Sequence, residues 1–159
     1  MWDKNELKRS VNALLKDKGL HPLPGSNRFS EISLSMGDEE IPKRVLPKAD
    51  FAARFNETYL YGEVDTAQDV SHNLAKYFYI LDCLESKPKK IIILHILGPG
   101  FHESEHNYMF HLRLASFLAE KIRDAFREEF EFHYEQSDPF LNTEDAVDCL
   151  SKKLSEFRR

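Results

Sequence analysis

From Asp3 onward the apolar positions Leu7, Val11, Leu14 and Leu15 recur at three- and four-residue spacing, which predicts an amphipathic helix. Asp3 with Glu6 has the form of a capping box. Gly19 stands where a C-terminal cap belongs, and His21-Pro22-Leu23-Pro24-Gly25 reads as a turn, because proline fixes φ and donates no backbone hydrogen bond. Residues 31–36 alternate with period two and predict a first strand at a sheet edge, closed by Gly37-Asp38. Residues 50–55 alternate again, with Phe51, Ala53 and Phe55 on one face and Asp50, Ala52 and Arg54 on the other. Asn56-Glu57 is a hairpin turn. The strand that follows, 58–65, puts Leu60, Gly62 and Val64 on one face and Tyr59, Tyr61, Glu63 and Asp65 on the opposite one. Two carboxylates therefore project together.

Helical spacing returns over 69–84, where Val70, Leu74, Tyr77, Phe78, Leu81 and Leu84 form the buried stripe. Asp69, His72, Asn73 and Lys76 form a polar stripe on the same helix, ordinarily a solvated face. The run Ile91 to Leu97 is apolar except for His95, as suits a central strand covered on both sides. A long helix over 103–128 turns Phe110, Leu114, Phe117, Leu118, Ile122 and Phe126 inward. Phe130, Phe132 and Tyr134 alternate with polar residues as a last strand, and Asn142 or Thr143 caps a final helix with the stripe Val147, Leu150, Leu154 and Phe157. This order predicts an α/β fold, a mixed central sheet flanked by helices. Without repeats or composition breaks, residues 1–159 read as a single domain.

The 159 residues make one ordinary core. Lys and Arg number 22 against 27 Asp and Glu, a formal charge of −5, so no global basic field gathers nucleic acid or anionic membrane. Apolar residues at 42%, with 12 Phe, exclude a disordered chain. No apolar run approaches the ~20 residues that span a bilayer, so no membrane partner is expected. The opening Met-Trp-Asp-Lys-Asn-Glu has no signal-like core. Cys83 and Cys149 read as reduced thiols among apolar positions, with a cytoplasmic location as the expectation.

Candidate chemistry centres on Asp50, Glu63 and Asp65. Three acids at one end of a hairpin supply hard oxygen ligands for Mg²⁺ or Mn²⁺. The alternative is two acids on a solvated strand face beside an unrelated aspartate. A helix, then Pro47-Lys48-Ala49-Asp50, a hairpin ending in Glu63-Val64-Asp65, a helix bearing His72-Asn73-Leu74-Ala75-Lys76-Tyr77 and a buried strand together resemble the PD-(D/E)XK nuclease superfamily, the restriction-endonuclease-like fold. The resemblance covers about residues 3–97 and lies in element order more than in identities. It implies Mg²⁺ or Mn²⁺ held by Asp50 and Glu63, with Asp65 as a third acid standing where the superfamily usually carries lysine. It further implies that Lys76 supplies that lysine from the following helix, that Glu6 is an extra ligand, and that the chain hydrolyses phosphodiester bonds of nucleic acid, with DNA the first expectation and RNA left open. His72, Asn73 and Lys48 are the expected nucleic-acid contacts, and a homodimer is the expected assembly.

Two other readings stay open. The missing lysine at the usual position fits a nuclease-like domain that has lost cleavage and binds nucleic acid or a partner protein. His102-Glu103-Ser104-Glu105-His106 is a literal HExxH, the zinc peptidase spacing, but Gly98-Pro99-Gly100 places it at or before a helix start rather than inside one. Lys8, Arg9, Lys16, Lys18, Lys43, Arg44, Lys48, Lys87, Lys89 and Lys90 are expected as basic rims around the acids. His95 reads as a buried histidine hydrogen-bonded to its neighbours.

Overall fold

The computed structural model describes residues 1–23, 35–36, 39–40, 48–65, 70–84, 86–101 and 105–157, with the backbone alone described at 35–36, 39–40 and 105–108. In chain order the elements are α1 (Lys4–Asp17), β1 (His21–Pro22), β2 (Ser35–Met36), β3 (Glu39–Glu40), β4 (Phe51–Phe55), β5 (Thr58–Asp65), α2 (Val70–Asp82), β6 (Lys90–Leu97), α3 (Glu105–Phe126), β7 (Glu131–Gln136) and α4 (Thr143–Glu156). Five strands form one mixed sheet in the order β1-β4-β5-β6-β7. The β1/β4 and β4/β5 pairs are antiparallel, whereas β5/β6 and β6/β7 are parallel, joined by the crossover helices α2 and α3.

The helix ends follow from local chemistry. Asp3 accepts from the backbone N–H groups of Asn5 and Glu6, which caps α1 as expected. The reciprocal half of the capping box is replaced: the Asp3 N–H donates to Thr143 Oγ1 at 2.9 Å, tying the start of α1 to the start of α4. Gly19, at φ 68°, ends α1. Its N–H donates to Lys16 O and that of Leu20 to Leu15 O, a Schellman closure with Leu15 and Leu20 in the same apolar cluster.

Alternation sorts the sheet's side chains into two cores. Phe51, Ala53, Leu60, Val64, Ile92, Leu94 and Ile96 face α1 and α4, meeting Leu7, Val11, Leu15, Ala146, Leu150 and Leu154. Ala52, Tyr61, Ile91, Ile93 and Leu97 face α2 and α3. Both faces of β6 are covered, as its apolar run requires. Gly62 is fixed by a close approach: a Cβ there would lie 1.9 Å from the ring of Phe51, its partner across the β4/β5 ladder. No described helix is long and apolar enough to cross a membrane.

Three expectations change. His21-Pro22 is an edge strand rather than a turn; Pro22 sits where the missing donor costs no ladder bond, and Leu23 N–H continues the pairing onto Ala52 O. Of the strand expected over 31–36, Ser35–Met36 is described, and it pairs with Glu39–Glu40 in a separate two-stranded ladder instead of joining the main sheet. On α3, Phe110 and Phe117 face outward at 68% and 51% exposure. The buried stripe is Ala115, Ala119, Ile122 and Phe126, since small alanines let α3 close against α2.

Candidate acidic site at the carboxyl end of the central strands

The β4/β5 hairpin brings Asp50, at the start of one strand, beside the end of the other. The Asp50 carboxylate accepts from Val64 N–H at 2.8 Å across the ladder. From the α1 side, Lys8 Nζ lies 2.8 Å from Oδ1 and Lys4 Nζ 2.9 Å from Oδ2. Partial burial pushes this carboxyl upward, but Lys8, the Val64 N–H and Lys4 together outweigh it and hold Asp50 below its ordinary value.

Glu63 is the most enclosed acid, its residue only 4% exposed. Its position on β5 turns it toward α2, where Lys76 Nζ and the Tyr77 hydroxyl both reach Oε1 at 2.6 Å. Burial is the largest influence and raises its pKa, against the opposing pull of Lys76 and Tyr77; Asp50 adds a smaller push in the same upward direction. The Tyr77 phenol is driven well above its ordinary value, by burial first and by the neighbouring Glu63 second. Lys76 Nζ also donates to Asn73 Oδ1 at 3.2 Å and to the backbone carbonyl of Lys48 at 3.3 Å.

Asp65 lies one strand position pair further along. Asn73 Nδ2 donates to its Oδ2 at 3.0 Å, and His95 Nε2 lies 3.1 Å from the same oxygen. His95 is fully buried on β6, with its other nitrogen 3.0 Å from the Tyr134 hydroxyl of β7, which donates onward to Gln136 Oε1. The acids thus share one end of the sheet, but each has its own donors. Among the described residues no three His, Cys, Asp or Glu side chains group so as to hold a metal ion.

Of the residues singled out in the sequence, Asp50, Glu63, Asp65, Asn73 and Lys76 are brought together. The polar stripe of α2 is therefore not simply a solvated face: Asn73 and Lys76 turn inward, while His72 is exposed. Lys48 takes part through its carbonyl, with its residue exposed. Glu6 is exposed in the first turn of α1. Asp69, Lys43, Arg44, His102, Glu103 and Ser104 lie outside the described residues, and of the HExxH only the backbone of Glu105 and His106, in the first turn of α3, is described. The expected basic rim is only half placed. Lys8 is at the acids, whereas Lys87, Lys89 and Lys90 pair with Glu129, Glu57 and Glu131 around the amino end of β6, the far end of the sheet.

Sequence reasoning missed Lys4, although its spacing of four from Lys8 puts both on one face of α1. It also missed the hydroxyls of Tyr77 and Tyr134, which hide in apolar stripes because a tyrosine can fill a core and donate from its tip. No protein-family model matches the chain, and no match was found among curated proteins or among solved structures.

Proposed function

We propose that the chain is a metal-dependent nuclease of the PD-(D/E)XK, restriction-endonuclease-like kind, hydrolysing phosphodiester bonds of nucleic acid, with DNA as the first substrate to test. The observation that carries this reading is the 2.6 Å contact between Lys76 Nζ and Glu63 Oε1. Asp65 occupies the position where such nucleases usually carry lysine, and Lys76 brings an ammonium to the same acid from the next helix.

The donor set suits Mg²⁺ or Mn²⁺. Asp50 and Glu63 offer hard carboxylate oxygens on facing strands. Glu63 is buried with its pKa raised in spite of Lys76 and Tyr77, so its environment favours further positive charge. Lys4 and Lys8, at 38% and 33% side-chain exposure, are partly solvated counter-charges placed to exchange Asp50 for a phosphate. Asp50 and Glu63 would hold the ion, which when bound supplies Lewis-acid polarisation and a more acidic water. Lys76, fixed by Glu63, Asn73 and the Lys48 carbonyl, orients the attacking water and meets charge on the phosphate. Water adds to phosphorus, the P–O bond to the leaving sugar breaks, and the leaving oxygen takes up a proton. Asp65, held by Asn73 and His95, is the third acid lining the approach.

The test is cleavage of plasmid, linear and single-stranded DNA and of RNA with Mg²⁺ or Mn²⁺. Activity that an Asp50→Ala, Glu63→Ala double variant lacks, and that Lys76→Ala lowers by about 100-fold or more, supports the reading. Cleavage no greater than that of the double variant defeats it.

A further inference from the structure

Both oxygens of Asp50 are occupied by cations from one helix. Lys8 Nζ lies on Oδ1 and Lys4 Nζ on Oδ2, and Oδ2 also accepts from Val64 N–H. The two lysines are four residues apart on α1, so they stand on one face, about 6 Å from each other along the helix axis. Asp50 is the partner of both among the described residues, and an ammonium on a long, partly solvated stem exchanges partners at little cost. Lys76 is held differently. Its side chain is 14% exposed, against 38% and 33% for Lys4 and Lys8, and its Nζ meets Glu63, Asn73 and the Lys48 carbonyl together. One cation at these acids is fixed and two are exchangeable.

With His95 counted neutral, the carboxylates of Asp50, Glu63 and Asp65 are balanced by the ammoniums of Lys4, Lys8 and Lys76, so the cluster has no net charge with which to draw in a divalent ion. An ion reaches Asp50 only in place of the lysines, since cations crowded on one carboxylate repel. The cluster then holds two positive charges in excess, which the backbone phosphates of a nucleic acid neutralise. Nucleic acid arriving first draws the same lysines, but at the cost of a partly buried carboxylate left with less compensation. The Val64 N–H stays on Oδ2 through the exchange, so the carboxylate keeps its direction.

Resting on the metal-dependent reading of these acids, we propose that Lys4 and Lys8 are substrate-positioning residues under the control of the ion. They neutralise Asp50 until a divalent ion takes its oxygens, and then hold the phosphates of the bound strand. Ion and nucleic acid thereby strengthen each other's binding, because each relieves the charge that the other leaves uncompensated.

A brief pulse of acetic anhydride, with acylation read lysine by lysine by mass spectrometry, follows the exchange in the wild-type protein. An ammonium paired with a carboxylate reacts slowly. Mn²⁺ is expected to raise labelling of Lys4 and Lys8 about threefold or more, and a short duplex added afterwards to lower it again, while Lys16 on the same helix stays constant. Calorimetric titration with Mn²⁺ gives a second readout. Lys4→Met combined with Lys8→Met, checked for native circular dichroism, is expected to bind Mn²⁺ about tenfold tighter than wild type, yet to bind the duplex more weakly at saturating Mn²⁺. Arg9→Met combined with Lys16→Met removes the same charge from exposed positions of α1. That variant keeps its Mn²⁺ affinity within about twofold, because salt at about 0.15 M screens charges more than about 8 Å apart. Wild type that binds Mn²⁺ with unchanged labelling of Lys4 and Lys8 overturns the proposal and leaves the metal site standing. An equal gain in Mn²⁺ affinity in the two double variants does the same. Mn²⁺ that binds neither wild type nor the variant lacking Lys4 and Lys8 overturns both the proposal and the metal site.

Discussion

Glu63 and Lys76 illustrate how one buried pair carries both structure and candidate chemistry. Their side chains are 6% and 14% exposed, so neither charge is well solvated. Removing one member of such a pair leaves the other uncompensated, at a cost of about 3 kcal/mol. Lys76→Met is therefore expected to destabilise the metal-free protein by about that amount at neutral pH. The pH dependence follows from the direction of the shift. The folded pKa of Glu63 is raised above its unfolded value, so its stabilising share is complete below the ordinary value of 4.5 and is lost as pH rises through the folded value. Without Lys76 that folded value moves higher still. The penalty is then small in acid and grows toward neutrality, whereas lost packing alone gives a constant penalty. Urea unfolding in EDTA across this range separates the two. Asp50 has the opposite sign: its lowered pKa contributes stability above 3.8 that is lost as pH falls through the folded value. Lys76 was legible because helical spacing put it on a stripe with Asn73. The Tyr77 donor was not, because one buried ring satisfies the apolar stripe and the hydrogen bond together.

At the scale of elements, periodicity located most helices and strands and misjudged where two of them face. The α3 stripe illustrates the reason. Ranking by hydrophobic size selects Phe110 and Phe117, yet the helix buries Ala115 and Ala119 because close packing on α2 needs small residues at the contact. Ala119→Leu is accordingly expected to cost about 1–3 kcal/mol by overpacking. Phe110→Ser, on the exposed side, changes monomer stability by less than about 0.5 kcal/mol. Chemical denaturation of dilute protein measures both; a larger loss for Phe110→Ser than for Ala119→Leu contradicts the assigned faces. Short elements failed for a different reason. A two-residue strand such as His21–Pro22 has no period to read, and its pairing with Ala53 and Arg54 is set by the Schellman turn that returns the chain from α1. The β4/β5 hairpin was legible in full: alternation, the Asn56 turn at φ 52° and the two faces all agree.

The whole molecule has a polarity that no stretch of sequence states. Because β5 and β6 run parallel, their carboxyl ends lie together, and the crossovers start α2 and α3 from that same end. The antiparallel β4 begins there too, which is why Asp50 joins Glu63 and Asp65. Lys4, Lys8, Lys48 and Lys76 gather at this end, while Lys87, Lys89 and Lys90 are held near the start of β6 by glutamates. A net charge of −5 thus conceals one end where cations and acids interleave. If nucleic acid docks at this end, the two lysine groups separate in a salt titration. Each lysine that neutralises a phosphate contributes nearly one counterion to the slope of log affinity against log salt. Lys48→Ala with Lys8→Ala is expected to weaken binding of a short duplex and to flatten that slope by about one to two. The triple change of Lys87, Lys89 and Lys90 to Ser leaves slope and affinity within error, since those ammoniums face their own glutamates at the far end. Binding measured by fluorescence anisotropy without divalent metal keeps the readout independent of cleavage. The reverse outcome, a slope lost with the far lysines and kept without Lys8 and Lys48, moves the nucleic-acid path to the amino end of β6 and separates it from the acids.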